Sequence, residues 1–212
     1  MESKYIISTK NLTKQYGERN VVNNVNLNIE KGKITSIIGR NGSGKTVLLK
    51  MLVQLYYPSS GEIIYINGID FTNDFGVLID TGFLENETGF KNLYVLSSLK
   101  GKINKNEIYD IMNYVKLDPW SKTKYKNYST GMKQKLKLAQ ALMEKPSVLI
   151  LDEPFNGLDQ ESVSYFREEL LKLKQKGVTM IITSHFWEDI EKLCDIVYEM
   201  KDGVLKKNEK RK

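Results

Sequence analysis

Gly39-Arg40-Asn41-Gly42-Ser43-Gly44-Lys45-Thr46 carries the densest chemical signal in the chain and fits the spacing G-x-x-x-x-G-K-[ST]. Glycines at 39, 42 and 44 let the main chain curl tightly, so that successive N–H groups, those of Asn41 and Ser43 among them, can converge on phosphate oxygens. The helix expected to follow adds the positive end of its dipole. Lys45 then suits the β- and γ-phosphates, and the Thr46 hydroxyl suits Mg²⁺. Much later, the apolar run Val148-Leu149-Ile150-Leu151 ends in Asp152 and Glu153. Asp152 suits a direct or water-mediated hold on Mg²⁺, and Glu153 suits polarising a water that attacks a γ-phosphate. Together these residues describe the binding and hydrolysis of a nucleoside triphosphate.

Both segments need strands that aim them at one place. Ile34-Thr35-Ser36-Ile37-Ile38 is too apolar for a half-exposed strand and predicts a buried one running into the glycine-rich loop; Val47–Leu52 then predicts a helix. Short apolar runs recur at Val77–Ile79, Val148–Leu151, Met180–Ile182 and Ile196–Tyr198. Between two of them Val163, Phe166, Leu170 and Leu173 are spaced three or four apart, as on a crossover helix covering a sheet. Strand–helix–strand alternation implies parallel strands, whose carboxyl ends place ligands on one edge. The opening is read as β: Tyr5–Ile7 and Val25–Ile29 predict strands joined by turn-prone polar residues, with a turn at Pro58–Gly61 before a strand at Ile63–Ile66. Residues 89–144 read as helical, with Ile108, Ile111, Met112 and Val115 on one face.

Composition excludes several classes. With 212 residues, 41% hydrophobic and 27% charged, the chain is neither disordered nor a string of modules. No apolar run approaches the ~18 residues of a membrane span, and the first residues lack the apolar stretch of a signal peptide. Cys194 is the lone cysteine, which excludes an internal disulfide and fits a reducing compartment. The net charge of +6 is dispersed except for Lys206, Lys207, Lys210, Arg211 and Lys212. That cluster is read as a frayed, solubilising tail, with contact to lipid headgroups as the alternative.

Taken in order, the motifs resemble the nucleotide-binding subunit of an ABC transporter over nearly the whole chain. Tyr16 stands where that family stacks an aromatic ring on adenine, and Tyr128-Ser129-Thr130-Gly131-Met132 stands at its signature segment. Asn156-Gly157-Leu158-Asp159 resembles the loop that crosses between subunits, and His185 matches the switch histidine beside the γ-phosphate. The resemblance implies an α/β fold: a P-loop NTPase core with a mainly parallel sheet, an N-terminal antiparallel β subdomain and an inserted α-helical subdomain. The implied partition is 1–88 with 145–212 for the core and 89–144 for the helices. It also implies ATP and Mg²⁺ as ligands, with Ser129, Gly131 and Asp159 meeting ATP held by a second subunit in a head-to-tail pair, identical or different. Separate transmembrane permease subunits are the expected partners and nucleic acid is not. The expected location is the cytoplasm, against the inner face of the membrane.

The pattern is broken in places. Val47 replaces a second hydroxyl residue, leaving only its backbone N–H for an α-phosphate, and Thr130 and Met132 replace a Gly and a Gln of the signature. Asp80 replaces a glutamine that contacts the metal and the membrane partner; the shorter, anionic side chain is expected to reach the metal through water. These departures resemble the branch that exports bacitracin, lantibiotics and drugs. The cleft beside Asp80 is the expected docking site for a permease helix, with Phe83, Leu84, Phe90 and Leu93 as candidate apolar contacts and plain packing as the equal alternative for each. Two other readings stay open: a soluble ABC ATPase acting on the ribosome or DNA, and a regulatory module that binds nucleotide without turning over.

Overall fold

A computed structural model of the chain describes residues 4–66, 68–80, 82–184 and 187–208. In chain order the strands are β1 (Tyr5–Tyr16), β2 (Arg19–Val25), β3 (Asn28–Glu30), β4 (Ile34–Ile38), β5 (Ser60–Tyr65), β6 (Phe75–Leu78), β7 (Val148–Asp152), β8 (Thr179–Thr183), β9 (Ile196–Lys201) and β10 (Val204–Lys207). The helices are α1 (Lys45–Leu52), α2 (Phe71–Asp74), α3 (Gly89–Lys100), α4 (Lys105–Tyr114), α5 (Thr130–Leu142), α6 (Gln160–Gln175) and α7 (Trp187–Leu193).

The central sheet has the order β10-β9-β4-β8-β7-β6; all its pairings are parallel except β9 with β10. Its strands β4, β7 and β8 are buried on both faces, which is why they read as largely apolar runs. In β7, Leu149 and Leu151 join the core beneath α5 and α6, while Val148 and Ile150 join the core beneath α1. The crossover helix α6 is where the apolar spacing put it, with Phe166 and Leu170 buried. The smaller sheet is antiparallel and built on β1, which pairs with β2, β3 and β5.

Three expectations about the β region and the tail are corrected. The mostly polar residues 8–16 are not a turn but the continuation of β1, in which Thr9, Leu12 and Thr13 are buried while Lys10, Asn11, Gln15 and Tyr16 are exposed. The run Val25–Ile29 is two strands. Asn24 takes φ +49°, the Asn11 N–H donates to Asn26 Oδ1 at 3.0 Å, and the Leu27 N–H donates to Thr9 Oγ1 at 2.9 Å. Side-chain oxygens thus replace ladder partners at the break. Finally, Lys206 and Lys207 are paired in β10 opposite Glu199 and Tyr198, so the basic cluster begins in the sheet. Lys210, Arg211 and Lys212 lie outside the described residues.

The helical segment holds α3, α4 and α5, each started by a side-chain cap. Thr88 accepts from the Lys91 N–H, Asn104 and Glu107 form a capping box, and Ser129 Oγ accepts from the Met132 N–H at 3.2 Å. Helix α5 meets the central sheet at Gly76 of β6. A Cβ there would stand 2.0 Å from the Ala141 carbonyl oxygen, so only hydrogen fits between helix and strand.

Candidate functional site

Because β4, β6, β7 and β8 are parallel, their carboxyl ends lie at one edge of the sheet, and that edge carries the loop 39–46, Asp80 and Asp152–Glu153. His185 itself lies outside the described residues. The other predicted residues can be located one by one.

The loop after β4 is held against the β9–β10 turn and β2. A Cβ on Gly39 would lie 2.2 Å from the Met200 carbonyl oxygen, and one on Gly44 would lie 2.3 Å from the Val21 carbonyl oxygen. Gly44 also takes φ +108°, a conformation that side chains resist. Lys45 opens α1 and is 6% exposed; its ammonium donates to the carbonyls of Gly39 at 2.7 Å and Arg40 at 3.2 Å. A buried cation satisfied only by neutral carbonyls favours an anion beside it. Ser43 Oγ is buried with no hydrogen-bond partner among the described residues. The first N–H groups of α1, those of Thr46 and Val47 included, have no partners within the helix. The loop therefore offers a cation, an orphaned hydroxyl and free amides, which suits a polyphosphate. It opens on a cleft of about 460 Å³ lined also by Arg19 and Lys201 and by the acidic Glu199 and Asp202.

Asp152 is the junction of the site. The Thr46 hydroxyl donates to Asp152 Oδ2 at 2.6 Å, and the Thr183 hydroxyl donates to Oδ1. With its proton committed to Asp152, Thr46 keeps lone pairs for a cation, so hydroxyl and carboxylate together form an oxygen donor set that fits Mg²⁺. Glu153 is next, with φ +49°, and its N–H donates to Thr183 Oγ1 at 2.9 Å. Thr183 is fully buried and serves both acids, a role its residue type does not reveal. Thr183→Val keeps the shape and removes both bonds, so a loss of about 1–3 kcal/mol in unfolding free energy is expected, together with slower turnover. Chemical denaturation and a phosphate-release assay check this; unchanged values of both would remove Thr183 from the site.

Asp80 sits at φ +41° with its carboxylate 2.6 Å from the Lys50 ammonium on α1. The Asp80 hydrogen bond pushes the Lys50 amine up from its ordinary value, against the opposing effect of burial. Lys50 also lies 5.0 Å from the centre of the Tyr56 ring. Lys50 escaped the sequence reading because nothing in α1 flags which lysine will find an acid.

Tyr16 ends β1 half-exposed, with the Lys14 ammonium 5.4 Å from its ring centre. Asp159 caps α6: its carboxylate accepts from the Ser162 N–H at 2.7 Å, and this bond, helped by the Ser162 hydroxyl, holds its pKa below the ordinary aspartate value. Thr130 and Gly131, behind Ser129, pack on the turn before Asp159; a Cβ on Gly131 would stand 3.2 Å from the Gly157 carbonyl oxygen. Among the apolar residues beside Asp80, Leu84 is exposed, while Phe83 packs on Tyr125 and Phe90 on Tyr109. Leu93 is completely buried in the core under α5, so of its two readings packing is the one that holds.

Residues 22–156 match the family model described as ABC transporter. The chain belongs to the ABC transporter family. It is 41% identical to the bacitracin transport ATP-binding protein BcrA of Enterococcus faecalis over 97% of this chain and 69% of that protein. To the lantibiotic transport ATP-binding protein SrtF of Streptococcus pyogenes it is 35% identical, over 94% of this chain and 89% of that one. Among solved structures it resembles the dimeric bacterial ABC transporter cassette MJ0796, with a TM-score of 0.86, 26% identity and coverage of 97% and 99%. The chain is an ABC ATPase, an ATP-binding subunit of this family, and the expected P-loop core with antiparallel β subdomain and inserted helices is the observed fold. No helix of the described residues is long and apolar enough to cross a membrane.

Proposed function

We propose that this ATPase powers export of an antimicrobial peptide or drug through separate membrane subunits, from the cytoplasmic face of the membrane. The observation that carries the reading is the Thr46–Asp152–Thr183 junction beside the buried Lys45, which brings donors for phosphate and metal to one sheet edge. The names of the bacitracin and lantibiotic relatives support the cargo class.

In this reading Lys45, the amides of the loop and Ser43 hold the phosphates of ATP, and Tyr16 stacks on adenine. Thr46 and Asp152 hold Mg²⁺, which when bound neutralises charge on the transferring phosphoryl group. Glu153 accepts a proton from the attacking water, and His185 contacts the γ-phosphate. Ser129, Gly131 and Asp159 meet the nucleotide of a second ATPase chain, identical or different, in a head-to-tail pair. Asp80, tied to Lys50, acts at the contact with the permease, and its reach to the metal would pass through water. We further propose residues 89–144 as the helical subdomain and the remainder as the core.

The pairing is tested with the Glu153→Gln chain, in which hydrolysis is too slow to reopen the pair. Light scattering after gel filtration should give twice the monomer mass with saturating Mg·ATP and the monomer mass with Mg·ADP. A monomer in both nucleotides would refute ATP-driven closure.

A further inference from the structure

Glu153 combines a catalytic position with an unfavourable backbone. A non-glycine residue at φ +49° costs roughly 1–3 kcal/mol and persists only where neighbours over-determine it. On one side the determinant is Thr183, which takes the Glu153 N–H. On the other it is Gln134, in the second turn of α5 and only 7% exposed. The Gln134 amide donates to the Glu153 carbonyl at 3.1 Å and to the Pro154 carbonyl at 2.8 Å. Pro154 has no N–H of its own, so this turn has fewer main-chain bonds to hold it. The Asn156 N–H adds one more to the Glu153 carbonyl, at 3.2 Å.

We infer that Gln134 is a positioning residue for ATP hydrolysis: it ties the backbone of Glu153 to α5, so that the carboxylate is aligned only while α5 is seated. The inference rests on the assignment of Glu153 as the base. It goes further by making the helix that begins at Ser129 a determinant of the chain's own chemistry. When that helix moves to meet a nucleotide across the pair, the Glu153 turn moves with it. The physical basis is the charge-free but buried contact of one amide with two carbonyls, which a side chain lacking N–H donors leaves unsatisfied.

The test uses the full chain carrying Gln134→Met, which keeps the volume and removes the donor, and Gln134→Glu. Gln134→Met should lower kcat about 10- to 100-fold while the dissociation constant for Mg·ATP, measured calorimetrically, stays within about twofold, because no phosphate-binding group is touched. In Gln134→Glu an ionised carboxylate faces two carbonyls and cannot donate, whereas the neutral acid can. Burial favours the neutral form, so kcat relative to the parent should rise as pH falls. A folded Gln134→Met chain with parental kcat overturns the inference. Should that chain not fold, a Gln134→Glu defect independent of pH does the same, since a packing defect would not titrate. Glu153→Gln is the control: if it is slow while Gln134→Met is not, the coupling alone fails; if it turns over at the parental rate, the assignment of the base fails first.

Discussion

Glu153→Gln is expected to slow ATP hydrolysis by about 10²–10⁴-fold, the range lost when a positioned proton acceptor is removed. The exchange is nearly isosteric, and the backbone that places the side chain is fixed independently of the carboxylate, by the Thr183 hydroxyl, the Gln134 amide and the Asn156 N–H. The amide should therefore occupy the same place and merely fail to take a proton. Affinity for Mg·ATP should stay level or tighten, because one negative charge has left the neighbourhood of a triphosphate. Single-turnover phosphate release measures the step directly. A parental rate would show that the water is activated by another group.

Lys45→Ala should have the second large effect, on binding. Lys45 is buried and its ammonium faces main-chain carbonyls at the mouth of the loop. Removing one partner of the buried charge pair that Lys45 forms with bound phosphate costs about 3–5 kcal/mol, which corresponds to about 10²–10⁴-fold in the dissociation constant. The measurement is thermal. At about 100 times its dissociation constant, Mg·ATP stabilises a folded chain by about 2.7 kcal/mol, so the parent should melt visibly higher with the nucleotide. The Lys45→Ala chain should keep at most about 0.4 kcal/mol of that stabilisation at the same concentration, and so a much smaller shift. An equal shift in both would mean that the phosphates are bound elsewhere.

What could be read from the sequence was what depends on residue type at fixed short spacing. The loop 39–46 is legible because glycine, lysine and threonine do their work within one turn of chain, and the acids at 152 and 153 because an apolar strand ends on them. The groups that fix these residues were not legible. Thr183 reaches Asp152 and Glu153 from another strand, Gln134 reaches Glu153 from the signature helix, and Lys50 finds Asp80 from the helix behind the loop. Each partner is an ordinary residue of its element, and only the folded register selects it. The split between β2 and β3 was missed for a related reason: alternating apolar residues predict extended chain, whereas Thr9 and Asn26 break the ladder with their own oxygens. Leu93 was undecided in the sequence, since an apolar residue near a cleft reads the same whether it points into the cleft or away from it, and the fold buries it.

The last strand bears on how two such molecules can meet. β10 ends the central sheet beside β2 of the smaller sheet, where the Asn23 N–H donates to the Gly203 carbonyl at 2.8 Å, and Lys206 and Lys207 are exposed along it. Lysines on a border strand penalise the addition of a neighbouring chain, because stacking two copies would align like charges and strip their water. Sheet-to-sheet polymerisation is thereby discouraged at this border of the sheet.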